Sequence, residues 1–336
     1  MESIMASGRS GGVGSDLLGQ ALRLADNAMA WPELLRLRLI PDAAMTIRDD
    51  DFALVSAQLH SLSEQLGQAL ELADAIDFAR IIAVLQGDRR LLVLLLARAV
   101  EWRMARGANA VGLVSPELSA LVEEQIGASD PDLAEAAMAV LVSQSRFSSA
   151  CLSYRFEMSE LPPEDLSRLV WRLVSHLQRH IAVEPVQLRA LAEKMLGAFD
   201  EREGRQHRLA RLCHLLDLPV ATMSWELAEL GPGIAFEILA MASGLPANQL
   251  FVMTLEPGLA RLATILRSLE IEPSRALGLL AEIAESLSLP IDGLPSIADY
   301  RSIGLGDARS VVARWRNLEA LAGEGLDYPE NPGPVR

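Results

Sequence analysis

The sequence predicts an all-α protein, with helical hairpins stacked as a solenoid of the HEAT or armadillo kind. The first observation is a period: Pro219, Pro246 and Pro273 follow one another at steps of 27 residues. The same step relates three apolar triplets and a pair of glycines, namely Leu212, Leu239 and Leu266, then Leu209, Phe236 and Ala263, then Met223, Leu250 and Leu277, and finally Gly231 and Gly258. A fixed period that joins apolar residues, a helix-starting proline and a glycine turn is typical of stacked helical repeats. Such stacks bury their core between neighbours and expose one long surface, which suits partner binding.

Composition gives the second observation. Half of the 336 residues are hydrophobic but only 4% are aromatic, and alanine and leucine supply much of the rest. Alanine and leucine favour helices, whereas large sheets recruit more Val, Ile, Tyr and Phe. A third observation agrees, because the chain has no sustained alternation of apolar and polar residues that would indicate a strand. The length allows two ordinary domains or one extended solenoid.

Prolines that follow a capping or acidic residue predict where helices begin. A proline at the first helical position loses no hydrogen bond, since the N–H groups of the first turn have no helical partner. This pattern predicts helix starts at Pro116, Pro131, Pro163, Pro185 and Pro273. Between these starts the apolar residues recur at steps of three and four, as one face of a helix requires. Helices of about 10–18 residues with short connections predict antiparallel helical hairpins.

The N-terminal part has a less regular pattern. Ser15 is the predicted cap of its first helix, and Asp49–Asp51 open a long second one. Two more apolar segments follow, the second of which contains the uninterrupted run Leu91–Leu96. That run is too short to span a bilayer and indicates a buried helix. The predicted helices cover residues 15–30, 49–73, 76–85 and 89–104.

A domain boundary is predicted in the loop Gly107–Gly112. It divides an N-terminal helical lobe from a helical-repeat solenoid, and a single continuous superhelix remains the alternative. The two ends, rich in Gly and Ser at the start and in Pro and Gly at the finish, are predicted to be disordered. The predicted segments are therefore a disordered N-terminus (1–14), an N-terminal helical lobe (15–106), a helical-repeat solenoid (113–323) and a disordered tail (324–336).

Charge and cysteine usage restrict the partners and the compartment. The 45 acidic and 30 basic side chains give a net charge of −15. Since an acidic surface repels phosphate and anionic lipid, we expect neither nucleic acid nor membrane as a partner. Cys151 and Cys213 are far apart in the sequence, so we expect free thiols in a reducing cytosol. Residues 1–14 lack the apolar stretch of a signal peptide, which also favours a cytoplasmic location.

Three stretches carry a resemblance to a known family. They are VSQSRF from Val142, GIAFEILAMASGLP from Gly233, and EPGLARLATILRSL from Glu256. Together they resemble an uncharacterised helical-repeat family of alphaproteobacteria, a domain of unknown function, over about residues 130–285. The resemblance implies an all-helical repeat fold and supplies no catalytic residue.

A basic cluster lies inside this acidic chain and is the candidate partner-binding site. Leu209, Leu212 and Leu216 define the buried side of its helix, and steps of three residues spread the arginines over about half of the circumference. One interpretation is a solvated helix face that balances nearby glutamates. The other is a docking point for an acidic helix or a phosphorylated segment, because guanidinium groups pair with carboxylate and phosphate. The cluster consists of Arg202, Arg205, Arg208 and Arg211.

No residue pattern predicts catalysis, a metal or a cofactor. His176 and His180 stand at i, i+4, but the glutamate that a zinc protease places between such histidines is missing. Cys151 has no base at a recognisable spacing and is interpreted as a core thiol. The glycine-rich segments 11–14 and 231–233 lack the lysine and the free donors of a phosphate-binding loop.

The function predicted from these observations is that of a non-enzymatic interaction scaffold or regulatory module that binds a protein partner. The alternative is a DNA-binding transcriptional regulator, with a helix-turn-helix in one of the short hairpins at 218–230 or 245–255. Glutamates at 226 and 229 oppose a phosphate backbone there, and few side chains suit the reading of base edges. An enzyme whose site is assembled from scattered residues remains the third hypothesis.

Overall fold

All regular structure in the described part of the chain is helical. The structure, a computed structural model, describes residues 17–19, 47–71, 78–110, 119–180 and 185–323. No strand occurs within those ranges, so the all-α prediction is confirmed for them. Both segments predicted to be disordered, 1–14 and 324–336, lie outside the described residues, as does most of the helix predicted from Ser15.

Three helices lie within the described residues between 47 and 110. They are α1 (Asp49–Ala69), α2 (Phe78–Gln86) and α3 (Arg89–Ala110). The acidic start predicted for α1 is confirmed, and the third of its aspartates does more than cap the helix. The Asp51 carboxylate is buried and pairs with Arg103 of α3 at 2.7 Å. This ion pair attaches the beginning of α1 to α3.

Three of the next four helices begin where the sequence predicted. Pro131, Pro163 and Pro185 each stand at the first residue of a helix. The Asp130 side chain accepts a hydrogen bond from the Asp132 backbone N–H at 3.0 Å, as a capping residue should. Pro116 lies outside the described residues. The helices are α4 (Ala120–Ile126), α5 (Pro131–Leu152), α6 (Pro163–His180) and α7 (Pro185–Gly197).

The C-terminal part alternates longer and shorter helices. Short 3₁₀ turns, for instance Glu201–Glu203 before α8 and Pro257–Leu259 before α11, join some of them. The helices are α8 (Arg205–Leu216), α9 (Leu227–Ser243), α10 (Ala247–Met253), α11 (Ala260–Ser268), α12 (Pro273–Leu287), α13 (Ile297–Ser302) and α14 (Leu305–Gly323).

The 27-residue period is only partly present in the backbone. Of its three prolines, Pro273 begins α12, Pro246 directly precedes α10, and Pro219 lies between α8 and α9 and begins no helix, contrary to the prediction. Gly231 and Gly258 both have positive φ, 72° and 71°, and each interrupts a helical segment. Asp217 and Gly244, also 27 residues apart, end α8 and α9 in the left-handed conformation. A positive φ costs a glycine little, which explains the glycines at three of these four positions. The apolar members of the first triplet are all buried: Leu212, Leu239 and Leu266.

Helix α3 lies at the centre of the molecule. It contacts α1 and α2 from its own part of the chain, and also α9, α10 and α12 from the C-terminal part. Buried residues occur all round it, including the run Leu91–Leu96 except Val93, which is partly buried. A helix that is apolar on every side requires such surroundings. The helices on both sides of the predicted boundary therefore share one core.

Gly107 shows how closely α3 packs in this core. The prediction that a loop begins at Gly107 is wrong, because α3 continues through it to Ala110. A Cβ atom at Gly107 would lie 1.8 Å from the backbone carbonyl oxygen of Ser286 in α12. Only glycine permits two helix backbones to approach so closely, so the residue serves packing rather than chain reversal.

Candidate functional site

The four arginines predicted to bind a partner do not form one surface. Arg202 and Arg211 are exposed and Arg208 is half-buried. The Arg202 guanidinium makes a forked contact with Asp200, with two hydrogen bonds of 2.9 Å. These hydrogen bonds lower the pKa of Asp200 to about 2. Arg211 pairs with Glu135 of α5 at 3.3 Å, which joins the exposed sides of α8 and α5.

Arg205 is the exception, and its assignment to an exposed docking cluster is corrected here. It is the first residue of α8 and is buried. Two of its guanidinium nitrogens donate to the two carboxylate oxygens of Glu101 in α3, one of them at 3.0 Å. Its Nε donates to the side-chain oxygen of Gln144 in α5 at 2.8 Å. Arg205 therefore holds α8 against α3 and α5 and is not available to a partner.

A second buried arginine lies beside Arg205. Arg98, one turn before Glu101 on α3, pairs with Glu160 at 3.0 Å. The guanidinium carbons of Arg98 and Arg205 lie 4.8 Å and 4.3 Å from the centre of the Phe147 ring. An aromatic face stabilises a desolvated cation, here by about 2 kcal/mol per contact. We call Arg98, Glu101, Glu160, Arg205 and Glu237 the buried charge cluster.

Glu237 of α9 is the remaining member of the buried charge cluster. It is 7% exposed and lies one turn after Gly233 on the same helix face. A Cβ atom at Gly233 would be 2.6 Å from the Arg205 Nη2 and 3.0 Å from a Glu101 oxygen. Burial raises the pKa of Glu237 to about 7. Attraction to Arg205 opposes this shift, and repulsion by Glu101 adds to it. The carboxyl group can therefore exchange its proton near neutral pH.

Both cysteines are buried in the same region and are unsuited to nucleophilic chemistry. Burial is the main cause that raises the pKa of the Cys151 thiol to about 11 and that of Cys213 to about 12. A nucleophilic cysteine needs the opposite shift. The interpretation of Cys151 as a core thiol agrees with this environment.

The exposed sides of α5 and α8 form a mixed apolar and basic surface. Met138 and Val142 of α5 are 44% and 43% exposed, and Leu215 of α8 is 39% exposed. Glu135, Met138 and Val142 stand at i, i+3 and i+7, as do Arg208, Arg211 and Leu215, so each set occupies one helix face. The pairs Glu135–Arg211 and Gln144–Arg205 show that the two helices run antiparallel, side by side. We call the surface made of Met138, Val142, Arg208, Arg211 and Leu215 the α5/α8 face.

Another buried ion pair lies in the C-terminal part of the chain. Arg261 of α11 donates to Glu256 at 3.0 Å, and both side chains are almost wholly buried. The guanidinium carbon of Arg261 lies 4.8 Å from the centre of the Trp315 ring of α14. Burial raises the pKa of Glu256 to about 7, although Arg261 opposes the shift. This pair fixes α14 to the end of the repeat region.

A cleft of about 440 Å³ lies between residues 224–226 and α12. Two of its three charged lining residues, Arg275 and Glu282, are engaged with the backbone. The Arg275 guanidinium donates to the Met223 carbonyl at 3.4 Å. The Glu282 carboxylate accepts a hydrogen bond from the Leu227 N–H at 2.6 Å, at the beginning of α9. These contacts attach α12 to the segment before α9, so the groups serve the fold.

Of the two hairpins considered for DNA binding, the one at 245–255 is largely buried. The last four residues of α10, Leu250–Met253, are buried, and the helix packs along α3. The Phe251 ring stacks on Phe236 of α9 with centres 4.1 Å apart. Gln249 is only partly exposed and donates to Glu319 at 3.2 Å. In this packing α10 has no face free for a DNA groove.

Comparison with known proteins gives no relative. No family model matches the chain, and no curated protein or solved structure matches it either. Within the described residues no group of three or more His, Cys, Asp or Glu side chains could hold a metal ion. No single helix of the described part is long and apolar enough to cross a bilayer. The helices α9 and α10 meet that test only as a pair, and they are bent by 110°.

Sequence reasoning missed the buried charge cluster. Arg205 and Glu101 are 104 residues apart, and no local pattern connects them. One pattern was nevertheless present for Glu237, which stands in the otherwise apolar run Ile234–Ala240. A carboxylate inside a continuous apolar run of a helix indicates a buried acid that needs a cation.

Proposed function

We propose that this protein is a non-enzymatic helical-repeat module that binds a protein partner as a scaffold or regulatory component. The proposed architecture is a stack of helical hairpins related to HEAT and armadillo repeats, wrapped around α3. Gly231 and Gly258 share a positive φ, although their ψ angles are 153° and 0°. That shared φ supports the stack, as do the contacts between consecutive helices from α8 to α12. Stacks of this kind present an extended surface on which other chains bind.

The observation that carries the proposal is the exposure of apolar side chains on the α5/α8 face. Met138 and Val142 are about two-fifths exposed and lie on the same side of one helix. Single exposed apolar residues need no explanation, but several on adjoining helices indicate a contact surface. Arg208 and Arg211 line this surface on the side of α8.

The chemistry of the α5/α8 face favours one kind of partner, an amphipathic helix with acidic residues beside its apolar stripe. Such a helix would place its apolar side chains against Met138, Val142 and Leu215. The Glu135–Arg211 pair is exposed on both sides, and surface ion pairs of this type contribute about 0–1 kcal/mol. A carboxylate of the partner can therefore replace Glu135 at little cost.

Affinity capture from the native cell, followed by mass-spectrometric identification, tests the proposal. The wild type is compared with the double variant Met138→Asp/Val142→Asp and with Arg208→Glu/Arg211→Glu. Val186→Asp is the matched control, because Val186 is 79% exposed on α7, away from the α5/α8 face. We expect partners retained by the wild type and the control to be lost from both double variants.

Equal capture by all four proteins would contradict the assignment of the α5/α8 face. The alternative function has its own test, since a regulator that binds DNA should shift duplex DNA in a salt-dependent way. A mobility shift that survives both double variants and weakens with salt would replace the proposed function with that of a DNA-binding protein.

A further inference from the structure

The cleft beside α12 carries charges of opposite sign at its two ends. Arg275, Gly278 and Glu282 stand at i, i+3 and i+7 of α12, so they share one face of that helix, and all three line the cleft. Seven residues of helix place the first and the last of them about 10 Å apart along the axis. Residues 224–226 form the facing wall, where Glu226 is exposed.

Hydrogen bonds fix how the two walls lie against each other. The Arg275 Nη1 donates to the Met223 carbonyl at 3.4 Å, at one end of the facing wall. The Glu282 carboxylate accepts from the Leu227 N–H at 2.6 Å, at the other end. The facing segment therefore runs beside α12 in the same chain direction, and Glu226 lies next to Glu282. The cleft has a guanidinium group at one end and two carboxylates at the other.

The charged groups keep atoms that the fold does not use. The backbone contacts of Arg275 involve Nη1 alone, and that of Glu282 involves Oε2 alone. Within the described residues, neither Glu226 nor Glu282 takes part in an ion pair. Burial raises the pKa of Glu282, and repulsion by Glu226 adds to that shift. A ligand cation between the two carboxylates would remove this repulsion.

Gly278 gives an independent reason to regard the cleft as a site. A Cβ atom there would meet nothing within 4 Å, so the packing of α12 does not require a glycine. Glycine in the interior of a helix is less favourable than alanine. What the missing side chain does is leave the floor of the cleft open midway between Arg275 and Glu282. The volume of about 440 Å³ lies within the range of small-molecule sites.

We propose that this cleft binds a small zwitterion of about dipeptide length, with its carboxylate at Arg275 and its ammonium group at Glu226 and Glu282. Both contacts are charge-assisted hydrogen bonds, and a guanidinium group is well suited to a carboxylate. A helical separation of about 10 Å, less contacts of about 3 Å at one or both ends, leaves roughly 4–7 Å between the charges of the ligand.

The length of the ligand follows from this separation. Two extended residues span at most about 7 Å, so the ends of a dipeptide fit the interval. The charges of a single α-amino acid are closer together and cannot reach both ends of the cleft. The cleft shares no residue with the α5/α8 face, so this binding is independent of the proposed protein partner.

Isothermal titration calorimetry of the full chain with glycylglycine tests the proposal. N-acetylglycylglycine lacks the ammonium group and glycylglycinamide lacks the carboxylate, so each control removes one of the two charges. We expect glycylglycine to bind at least about tenfold more tightly than either blocked form, because each charge-assisted contact is lost with its charge. 6-Aminohexanoate has both charges without a peptide group and should bind as well, whereas glycine should bind less tightly than either.

Variants of the two walls locate the binding. Gly278→Leu fills the floor of the cleft and Glu226→Gln removes one carboxylate, and each should weaken glycylglycine binding by at least about tenfold. Glu229→Gln is the matched control, because Glu229 is exposed one turn further along α9 and does not line the cleft. In NMR spectra the indole N–H signal of Trp225, which lines the cleft, should move during the titration, and those of the other tryptophans should not.

Three results would overturn the proposal. If neither glycylglycine nor 6-aminohexanoate binds, the cleft is not a zwitterion site. If the blocked dipeptides bind as tightly as glycylglycine, its terminal charges are not recognised. If Gly278→Leu and Glu226→Gln fold and keep the wild-type affinity, or if the Trp225 signal stays in place, the ligand binds elsewhere. Because Glu226→Gln leaves α12 unchanged, it keeps the test decisive even where Gly278→Leu folds poorly.

Discussion

The contact between Gly107 and Ser286 allows one substitution to be worked through in detail. A Cβ atom added at Gly107 would lie 1.8 Å from the Ser286 carbonyl oxygen, 2.7 Å from its carbonyl carbon and 3.0 Å from its Cα. All three are backbone atoms of α12, so no side-chain rotation relieves the overlap. Favourable contacts lie at about 3.5–4.0 Å. Alanine at position 107 therefore forces α3 and α12 apart by roughly 2 Å.

The cost of this separation exceeds that of ordinary overpacking. Inserting one methyl group into a packed core costs about 1–3 kcal/mol when side chains can adjust. Here two helices must move, and the seam between them includes the buried residues Ile283 and Leu287. The higher helix propensity of alanine offsets only about 1 kcal/mol of this packing cost. We expect Gly107→Ala to lower the free energy of unfolding by at least about 2 kcal/mol.

Urea denaturation followed by circular dichroism measures this loss, and Gly278 provides the control. Gly278 lies on α12 as well, but a Cβ atom there would meet nothing within 4 Å. Gly278→Ala should therefore raise the free energy of unfolding by about 0.5–1 kcal/mol. Opposite signs for the two substitutions are the expected result. If Gly107→Ala were as stable as the wild type, the close approach of α3 and α12 would be wrong.

Three further predictions address the interior. Arg205→Met should lower the free energy of unfolding, measured by urea denaturation, by about 3–5 kcal/mol, because it leaves a buried carboxylate unpaired. Arg208→Met is the control at a partly exposed position and should change that free energy by less than about 0.5 kcal/mol. Gly231→Ala should lower the free energy of unfolding by about 1–2 kcal/mol in the same assay, because φ is 72° there and a residue with a Cβ atom adopts a positive φ only at a cost. Cys151 and Cys213 should resist a thiol reagent at pH 8 in the native protein and react at once in urea, because both are buried; fast native labelling of either would contradict their placement.

Local chemistry made the helix starts predictable. A proline at the first helical position or an aspartate that caps the helix acts within three or four residues, so the sequence contains all of the information needed. That is why Pro131, Pro163, Pro185 and Pro273 begin helices as predicted. The breaks at Gly231 and Gly258 were equally accessible, because the tolerance of glycine for positive φ is intrinsic.

The candidate site could be predicted only in part, because its contacts depend on packing. The exposure of Arg211 and the partial exposure of Arg208 were expected from the apolar stripe of α8, and Arg202 is exposed in the turn before that helix. The burial of Arg205 was not, since it depends on a glutamate 104 residues away. Helical spacing gives the angular position of a side chain around the helix axis. It does not say which neighbouring helix packs against that side. At the first turn of α8 the neighbours are α3 and α5, and they enclose the guanidinium group.

The position of α3 connects the fold to the proposed surface. In a stack of identical helical hairpins, each hairpin buries its apolar face against the next hairpin, and only the two terminal hairpins need a capping element. Here α9, α10 and α12 pack on α3, a helix from the N-terminal part of the chain. The two buried charges of α3, Arg98 and Glu101, then fix where α8 can approach. Helix α5 packs along the other flank of α8, so the side of this pair that points away from the core is the one on which Met138, Val142 and Leu215 remain exposed.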